Sequence, residues 1–491
     1  MFGQAGHTFI QEVVAMMNRA SCTKLYAGLL LVLLLLVGTA AWADAGRVAF
    51  EVDADTPVVM AGEGGKVIVR VLVRPERGEV AARAPLAVAL VLDKSGSMAS
   101  DRKMENAKLG ALEALRMLDP NDIATVVVYS DGAGVAVRAR PVGRGDREPV
   151  FARGISRIQP EGMTALYDGV VLGAQQLESF VREGFIPRIV MLSDGIANVG
   201  PSTTRELAAL GRKLARNEMT ITTIGLGLDY NEDLMTALAA ESGGNAYFAR
   251  NSRMLRDIFA RDMEDAVTLT ARKMRVTVHG RGGARPGRTI GRAGELDGDT
   301  LEVVIDNLYS SDKYALFELE LPEGGDGTTA EVAEVVLEFQ DPKSGERISR
   351  TATLNIAFTG DASDVEKSRN SEIVSQAAMA RNAEIREEAV RLADEGKVKE
   401  AARILDERKL QLMMLAPAAG TAAPVMMRES EEFDELADSL SSSGELSNEK
   451  RKDMLNEAYI LKNQQTRVEE VDEVDDDEAA SDDYAESPED E

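Results

Sequence analysis

The stretch from Leu86 to Met98 constrains this chain more than any other. Leu86 to Leu92 is apolar without interruption. A strand with one wet face alternates, so an unbroken run of this length predicts a parallel strand covered on both faces. It ends in Asp93-Lys94-Ser95-Gly96-Ser97, where one carboxylate and two hydroxyls alternate and Gly96 permits a tight turn. Oxygen donors of this kind suit Mg²⁺, Mn²⁺ or Ca²⁺ and disfavour zinc or copper. Asp and Ser also crowd ordinary turns, so the loop does not by itself decide the chemistry.

Two later segments add to it. Gly162-Met163-Thr164 follows Pro160 and precedes a helical pattern at 166–183, and Arg188 to Leu192 is a second apolar strand ending in Ser193-Asp194-Gly195. Strand-like runs at 86–92, 123–130, 134–140, 188–193, 220–225 and 245–249 alternate with helical patterns at 102–118, 147–158, 166–183, 203–218, 231–242 and 253–270. Such alternation predicts an α/β, doubly wound Rossmann-like domain with helices on both faces of a mainly parallel sheet. Ligands of these sheets bind beyond the carboxyl ends of strands at a switch point, where Asp93 and Asp194 both fall. The plainer alternative has the two aspartates only capping the following helices, which does not account for all five positions together.

This set resembles the von Willebrand factor A domain and its metal-ion-dependent adhesion site, D-x-S-x-S…T…D. Matched residue by residue, the resemblance assigns Asp93, Ser95 and Ser97 to the first metal loop, Thr164 to the second and Asp194 to the third. Thr222-Thr223-Ile224-Gly225-Leu226-Gly227, Asn231 to Leu234 and Gly243 to Phe248 follow in the right order, and the match covers about residues 86–270. The resemblance implies that Ser95, Ser97 and Thr164 bind a divalent cation directly, Mg²⁺ first with Mn²⁺ or Ca²⁺ as alternatives, and that at least one aspartate acts through water. It implies a partner protein that offers an acidic side chain.

Catalytic readings find few residues. The cysteine is Cys22 and the histidines are His7 and His279, so zinc ligand sets and Cys-His nucleophilic chemistry are out of reach. His279 lies in a strand-like run far from the metal loops and reads as an ordinary strand residue. An aspartate-based phosphatase needs a second acid two residues after its nucleophile, and position 95 is Ser. Gly225-Leu226-Gly227 lacks the further glycine and the helix of a dinucleotide loop. The chain reads as a non-enzyme.

Arg19 and Lys24 precede an apolar run from Leu25 to Val37, and Ala41-Trp42-Ala43 forms a small-residue cleavage site, so 1–43 reads as a signal peptide and Asp44 as the first mature residue. The run is shorter than the roughly 20 residues of a spanning helix, and an uncleaved anchor through 25–42 stays open. Export, with the periplasm first and a membrane-anchored or extracellular location as alternatives, follows either way. A mature chain without cysteine relies on core packing rather than disulfides.

Around the α/β domain (86–270) lie period-2 strands at 44–85 and 271–362, which suit one β-sandwich of about seven strands with the α/β domain inserted in its middle. That layout resembles bacterial exported von Willebrand A proteins and, more loosely, inter-alpha-trypsin inhibitor heavy chains and calcium-activated chloride channel regulators. A helical hairpin turning at Gly396 fills 363–415, Ala416 to Arg428 reads as a linker, and a helical segment spans 429–467. The tail, 468–491, carries 14 acids and no basic residue, and reads as disordered. With a net charge of −27, nucleic acid is excluded as a partner, and membrane contact needs an uncleaved leader. Two functions stand: a metal-dependent protein-binding adaptor or assembly module of the cell envelope, and an exported adhesion or structural protein that grips an extracellular ligand.

Overall fold

The computed structural model describes residues 48–76, 84–143 and 148–465; the expected leader and acidic tail lie outside them. The N-terminal flank forms β1 (Val48–Ala54), β2 (Val58–Met60) and β3 (Gly65–Pro75). An α/β unit follows: β4 (Leu86–Asp93), α1 (Lys103–Arg116), β5 (Ile123–Tyr129), β6 (Ala133–Pro141), α2 (Glu148–Ser156), α3 (Leu166–Arg182), β7 (Ile186–Ser193), α4 (Thr204–Arg216), β8 (Thr220–Leu226), α5 (Glu232–Ser242), β9 (Ala246–Ala249) and α6 (Leu255–Val267). Its sheet runs β6-β5-β4-β7-β8-β9, parallel except for β6.

Every residue of β4 is buried, and its two faces feed different cores. Leu86, Val88, Leu90 and Leu92 pack with α1 and α6, whereas Ala87, Ala89 and Val91 pack with α3 and α4. Burying a leucine or valine side chain contributes roughly 1.5–3 kcal/mol, so coverage of both faces explains the continuous apolar run. Chain order reverses at this strand, with β5 on one side and β7 on the other. The carboxyl ends of β4 and β7 therefore border the switch-point crevice.

The chain returns to strands as β10 (Ala271–Gly280), β11 (Arg285–Ile290), β12 (Gly294–Asp297), β13 (Thr300–Leu308), β14 (Lys313–Leu321), β15 (Thr329–Gln340) and β16 (Arg347–Thr359). They join the N-terminal strands in two sheets, β1-β3-β14-β11 and β12-β13-β10-β15-β16-β2. Strand β3 lies antiparallel to β14 and β2 parallel to β16, so the flanks on either side of the α/β unit pair with each other. Val67, Val69 and Val71 of β3 meet Val276 and Val278 of β10 in one core between the sheets. Among the described residues the sandwich holds ten strands rather than about seven. The additional β2, β11 and β12 are edge strands.

Helices α7 (Ala362–Ser368), α8 (Ser371–Asp394), α9 (Val398–Leu415), α10 (Ala423–Ser443) and α11 (Asn448–Asn463) complete the described chain. Ile373, Ala377 and Ala380 of α8 cover the outer face of the first sheet against Ile290 and Leu316. The segment 416–428, expected as a linker, instead holds two short 3₁₀ turns and the start of α10. Its alanines favour helix, Pro424 sits in the first turn where proline is tolerated, and Ala416, Ala419 and Met426 are buried in the helical core.

A buried ion pair inside the α/β unit holds an arginine that also reaches the sandwich. Arg188, in β7, donates through Nε to Asp262 of α6 at 2.9 Å and through Nη1 to the Tyr309 hydroxyl at 3.1 Å. Its other Nη pairs with Asp262 and with Thr222 of β8. Arg188 and Asp262 are both buried, so each depends on the other for its charge. Removing one partner from such a pair costs about 3–5 kcal/mol. Asp262→Ala is expected to destabilise the folded chain by about that amount in urea unfolding, and a loss below about 1 kcal/mol contradicts the assigned role.

Candidate metal centre

Three loops at the carboxyl edge of the sheet meet through backbone hydrogen bonds. Gly96 N–H donates to the Gly162 carbonyl at 3.1 Å, and Glu161 N–H donates to the Lys94 carbonyl at 2.6 Å. The Asn198 and Thr164 backbones are joined by an N–H to carbonyl bond of 3.2 Å, while Thr164 N–H donates to the Asn198 Oδ1 at 2.9 Å. The first loop leaves β4 and turns into a 3₁₀ segment at Gly96–Ala99. The second precedes α3, and the third leaves β7.

Local sequence explains the second loop. Gly162 has φ +76, and a Cβ there would lie 2.8 Å from an Asp131 carboxylate oxygen. That same carboxylate accepts the Met163 N–H at 2.9 Å, fixing the turn that delivers Thr164. In the first turn of α3, Gly169 lies against the Tyr129 ring; a Cβ would approach to 2.7 Å. The close approach seats the helix, and hence Thr164 just before it, on the end of the sheet.

All five sequence-predicted residues come together. Asp93 and Asp194 are both 0% exposed, at the ends of adjacent strands. The Asp93 Oδ1 accepts the Ser95 N–H at 2.8 Å, and its Oδ2 accepts the Ser193 hydroxyl at 2.9 Å. The Ser95 and Ser97 hydroxyls lie 3.0 Å apart, and Ser97 Oγ donates to Asp194 Oδ1 at 2.7 Å. An added Cβ on Gly195 would sit 3.7 Å from Ser97 Oγ and 3.8 Å from Thr164 Oγ1, so both hydroxyls face that glycine. Ser95 and Thr164 are buried, while Ser97 is exposed and marks the opening. Burial pushes the Asp93 carboxyl up to about 6, with the neighbouring Asp194 charge adding to the rise and the Ser95 hydrogen bonds opposing it.

Sequence reasoning did not single out Lys103, Ser193 or Asn198. Lys103 opens α1 and donates its Nζ to Asp194 Oδ2 at 2.9 Å, with its side chain only 12% exposed. The ammonium thus answers part of the charge of two buried carboxylates. Three neutral hydroxyls beside two aspartate carboxylates make an oxygen-only set of the kind that fits a hard divalent cation, and the Lys103 ammonium holds one Asp194 oxygen away from it. Among the described residues no group of three or more His, Cys, Asp or Glu converges on a potential metal position. Hydroxyls, rather than a crowd of carboxylates or imidazoles, give this centre its character. His279 instead pairs its ring nitrogen with the Thr300 hydroxyl at 3.2 Å in the sandwich.

Replacing Lys103 by Met leaves the buried aspartates without their ammonium. Lys103→Met is expected to lower stability by about 3 kcal/mol in chelator, read by urea unfolding. Wild-type stability in that variant contradicts the assigned role of the lysine.

Residues 87–261 match the sequence profile of the von Willebrand factor type A domain. An uncharacterized protein of Synechocystis sp. is 30% identical over 169 residues, which are 34% of this chain and 39% of that protein. Inter-alpha-trypsin inhibitor heavy chain H3 of Mesocricetus auratus is 28% identical over 171 residues, or 33% of this chain and 19% of its own. This chain therefore spans well under half the length of either relative. Among solved structures, a von Willebrand factor type A protein from Catenulispora acidiphila superposes with a TM-score of 0.62 at 16% identity, covering 81% of this chain and 97% of that one. The ArnB paralog VWA2 of Sulfolobus acidocaldarius gives 0.53 at 18% identity, covering 86% and 100%. Both show a shared fold across most of the described molecule. Domains of this type commonly serve protein–protein interaction and typically bind a divalent cation. The segment from 87 to 261 is a von Willebrand factor type A domain, carried in a longer chain of sandwich and helices.

Proposed function

We propose that this chain is a metal-dependent protein-binding module of the cell envelope, an adaptor or assembly factor that grips a partner's carboxylate through a divalent cation, Mg²⁺ first. The observation that carries this reading is the meeting of Ser95, Ser97 and Thr164 with two fully buried aspartates at the switch-point edge. Ser95, Ser97 and Thr164 would hold the ion directly. Both Asp93 oxygens are already engaged by Ser95 N–H and the Ser193 hydroxyl, which suits an orienting role rather than a direct bond. Asp194 would set its charge beside the ion while Lys103 keeps its outer oxygen.

When bound, the cation supplies a Lewis-acidic position open to an outside oxygen, because neutral hydroxyls quench little of its charge. The exposed Ser97 side of the centre leaves the route for that oxygen, and the buried side holds the loops in register. Nothing in this arrangement requires a general base. The leader read from 1–43 is the basis for the envelope assignment, with the periplasm as the compartment.

Ser95→Ala combined with Ser97→Ala is expected to abolish Mg²⁺ and Mn²⁺ binding in calorimetric titration. Ser97 also hydrogen-bonds the buried Asp194, so unfolding in chelator should show a loss of about 1–3 kcal/mol while the chain stays folded. Unchanged metal affinity in a folded double variant contradicts the proposed function.

A further inference from the structure

We propose that the chain's own acidic tail, between Val468 and Glu478, docks across the metal centre, with a carboxylate at the cation and Val471 and Val474 against Met163 and Ile196. The inference rests on the reading of the centre as a divalent-cation site and names an occupant for it.

The surface beside the centre is mixed in character. Met163, directly before Thr164, is 50% exposed, and Ile196, two residues past Asp194, is 61% exposed. Isolated exposed apolar residues are ordinary, but these two flank residues of one centre from two different loops. With a divalent cation in place, the ion and the Lys103 ammonium answer the two aspartates and the Asp131 carboxylate beside Met163, so an incoming acid is drawn by the ion itself rather than by the rim. The centre and its rim therefore suit a segment that offers acids and aliphatic side chains together.

The tail has that composition. Val468, Val471 and Val474 recur at every third position among Glu469, Glu470, Asp472, Glu473 and Asp475. An acidic run meant only to keep the protein in solution has no need of spaced valines.

The exit point of the described chain places this segment within reach. Helix α11 is fastened to the edge of the α/β unit. The buried Lys452 donates to the Tyr230 carbonyl at 2.6 Å and pairs with Glu232, the Tyr459 hydroxyl donates to the Gly244 carbonyl at 2.7 Å, and Arg250 pairs with Asp453 at 2.9 Å. Gln465 then donates its Nε2 to the Ala246 carbonyl at 3.1 Å, at the start of β9. From β9 to β4 is three strand spacings, about 14 Å, and the rise along β9 adds about 10 Å, so the centre lies roughly 17 Å away. At about 3.3 Å per extended residue, Val471 to Asp475 is the first stretch able to reach it. A tether of that length gives the tail an effective concentration near the millimolar scale, so an arriving acidic partner must displace it.

The test uses full chains and a synthetic peptide of residues 468–478 as the probe, titrated in Mg²⁺ and in EDTA. One variant has the eight acids from Glu469 to Glu478 changed to their amides. A second keeps every acid and carries Val471→Ser and Val474→Ser. The amide tail is expected to bind the peptide about tenfold more tightly than the wild-type chain, and the serine tail at least about threefold more tightly, both only in Mg²⁺. Adding Met163→Ser and Ile196→Ser to the amide-tail chain should weaken peptide binding several-fold. A serine tail that leaves the affinity at the wild-type value overturns the inference, since bulk repulsion alone then explains the tail. Calorimetry with Mg²⁺ on the same chains separates the two failures. Metal binding without a tail effect removes only this inference, and loss of metal binding in every chain removes the cation-site reading as well.

Discussion

Two carboxylates without solvent exposure, at the ends of neighbouring parallel strands, are the constraint around which the rest of the α/β unit is arranged. Asp93 and Asp194 cannot stay buried beside each other unless their charge is answered. The first is answered by a backbone N–H and the Ser193 hydroxyl, the second by Ser97 and the Lys103 ammonium. These four partners come from three places in the chain: Ser95 and Ser97 from the loop after β4, Ser193 from the end of β7 and Lys103 from the first residue of α1. Satisfying the aspartates therefore fixes three elements at once. The proposed divalent cation would add the positive charge that one lysine does not fully supply.

The scaffold beneath gives that arrangement its rigidity. Strand β4 is held from both faces by aliphatic side chains, and Tyr129 donates its hydroxyl to the Leu192 carbonyl at 2.7 Å, linking the ends of β5 and β7 just below the centre. At the far end of the sheet the Arg188–Asp262 pair and Tyr309 join the domain to the sandwich. Helix α11 adds a second attachment at the β9 edge, where Lys452 also stacks its ammonium over the Tyr230 ring at 4.1 Å. The domain is thus held by its neighbours at its base and at one side, while the metal loops face outward.

Much of this was legible in the residues. The unbroken run at Leu86 to Leu92 announced a strand covered on both faces, and D-x-S-x-S with Thr164 and Asp194 marked side chains that the fold brings together. Lys103 was not legible, because a lysine opening a helix looks like any surface lysine until the fold turns it toward Asp194. Asn198 was hidden for a similar reason: its amide acts on the backbone of Thr164, and no spacing rule predicts that. Strands β2, β11 and β12 were missed because edge strands lack strict alternation, and Pro286 and Gly287 in β11 read as breakers. The segment 416–428 was misread because its prolines and glycine signal a linker, whereas burial of Ala416, Ala419 and Met426 supports helix there.

The most direct test of the central claim is anomalous diffraction from a crystal grown with Mn²⁺. The account predicts a single strong peak at direct-bonding distance from the Ser95, Ser97 and Thr164 hydroxyls, with Asp93 still bonded to Ser193 and Lys103 still on Asp194. No peak at the three hydroxyls in crystals soaked to saturation, or a peak lodged elsewhere on the molecule, would contradict it.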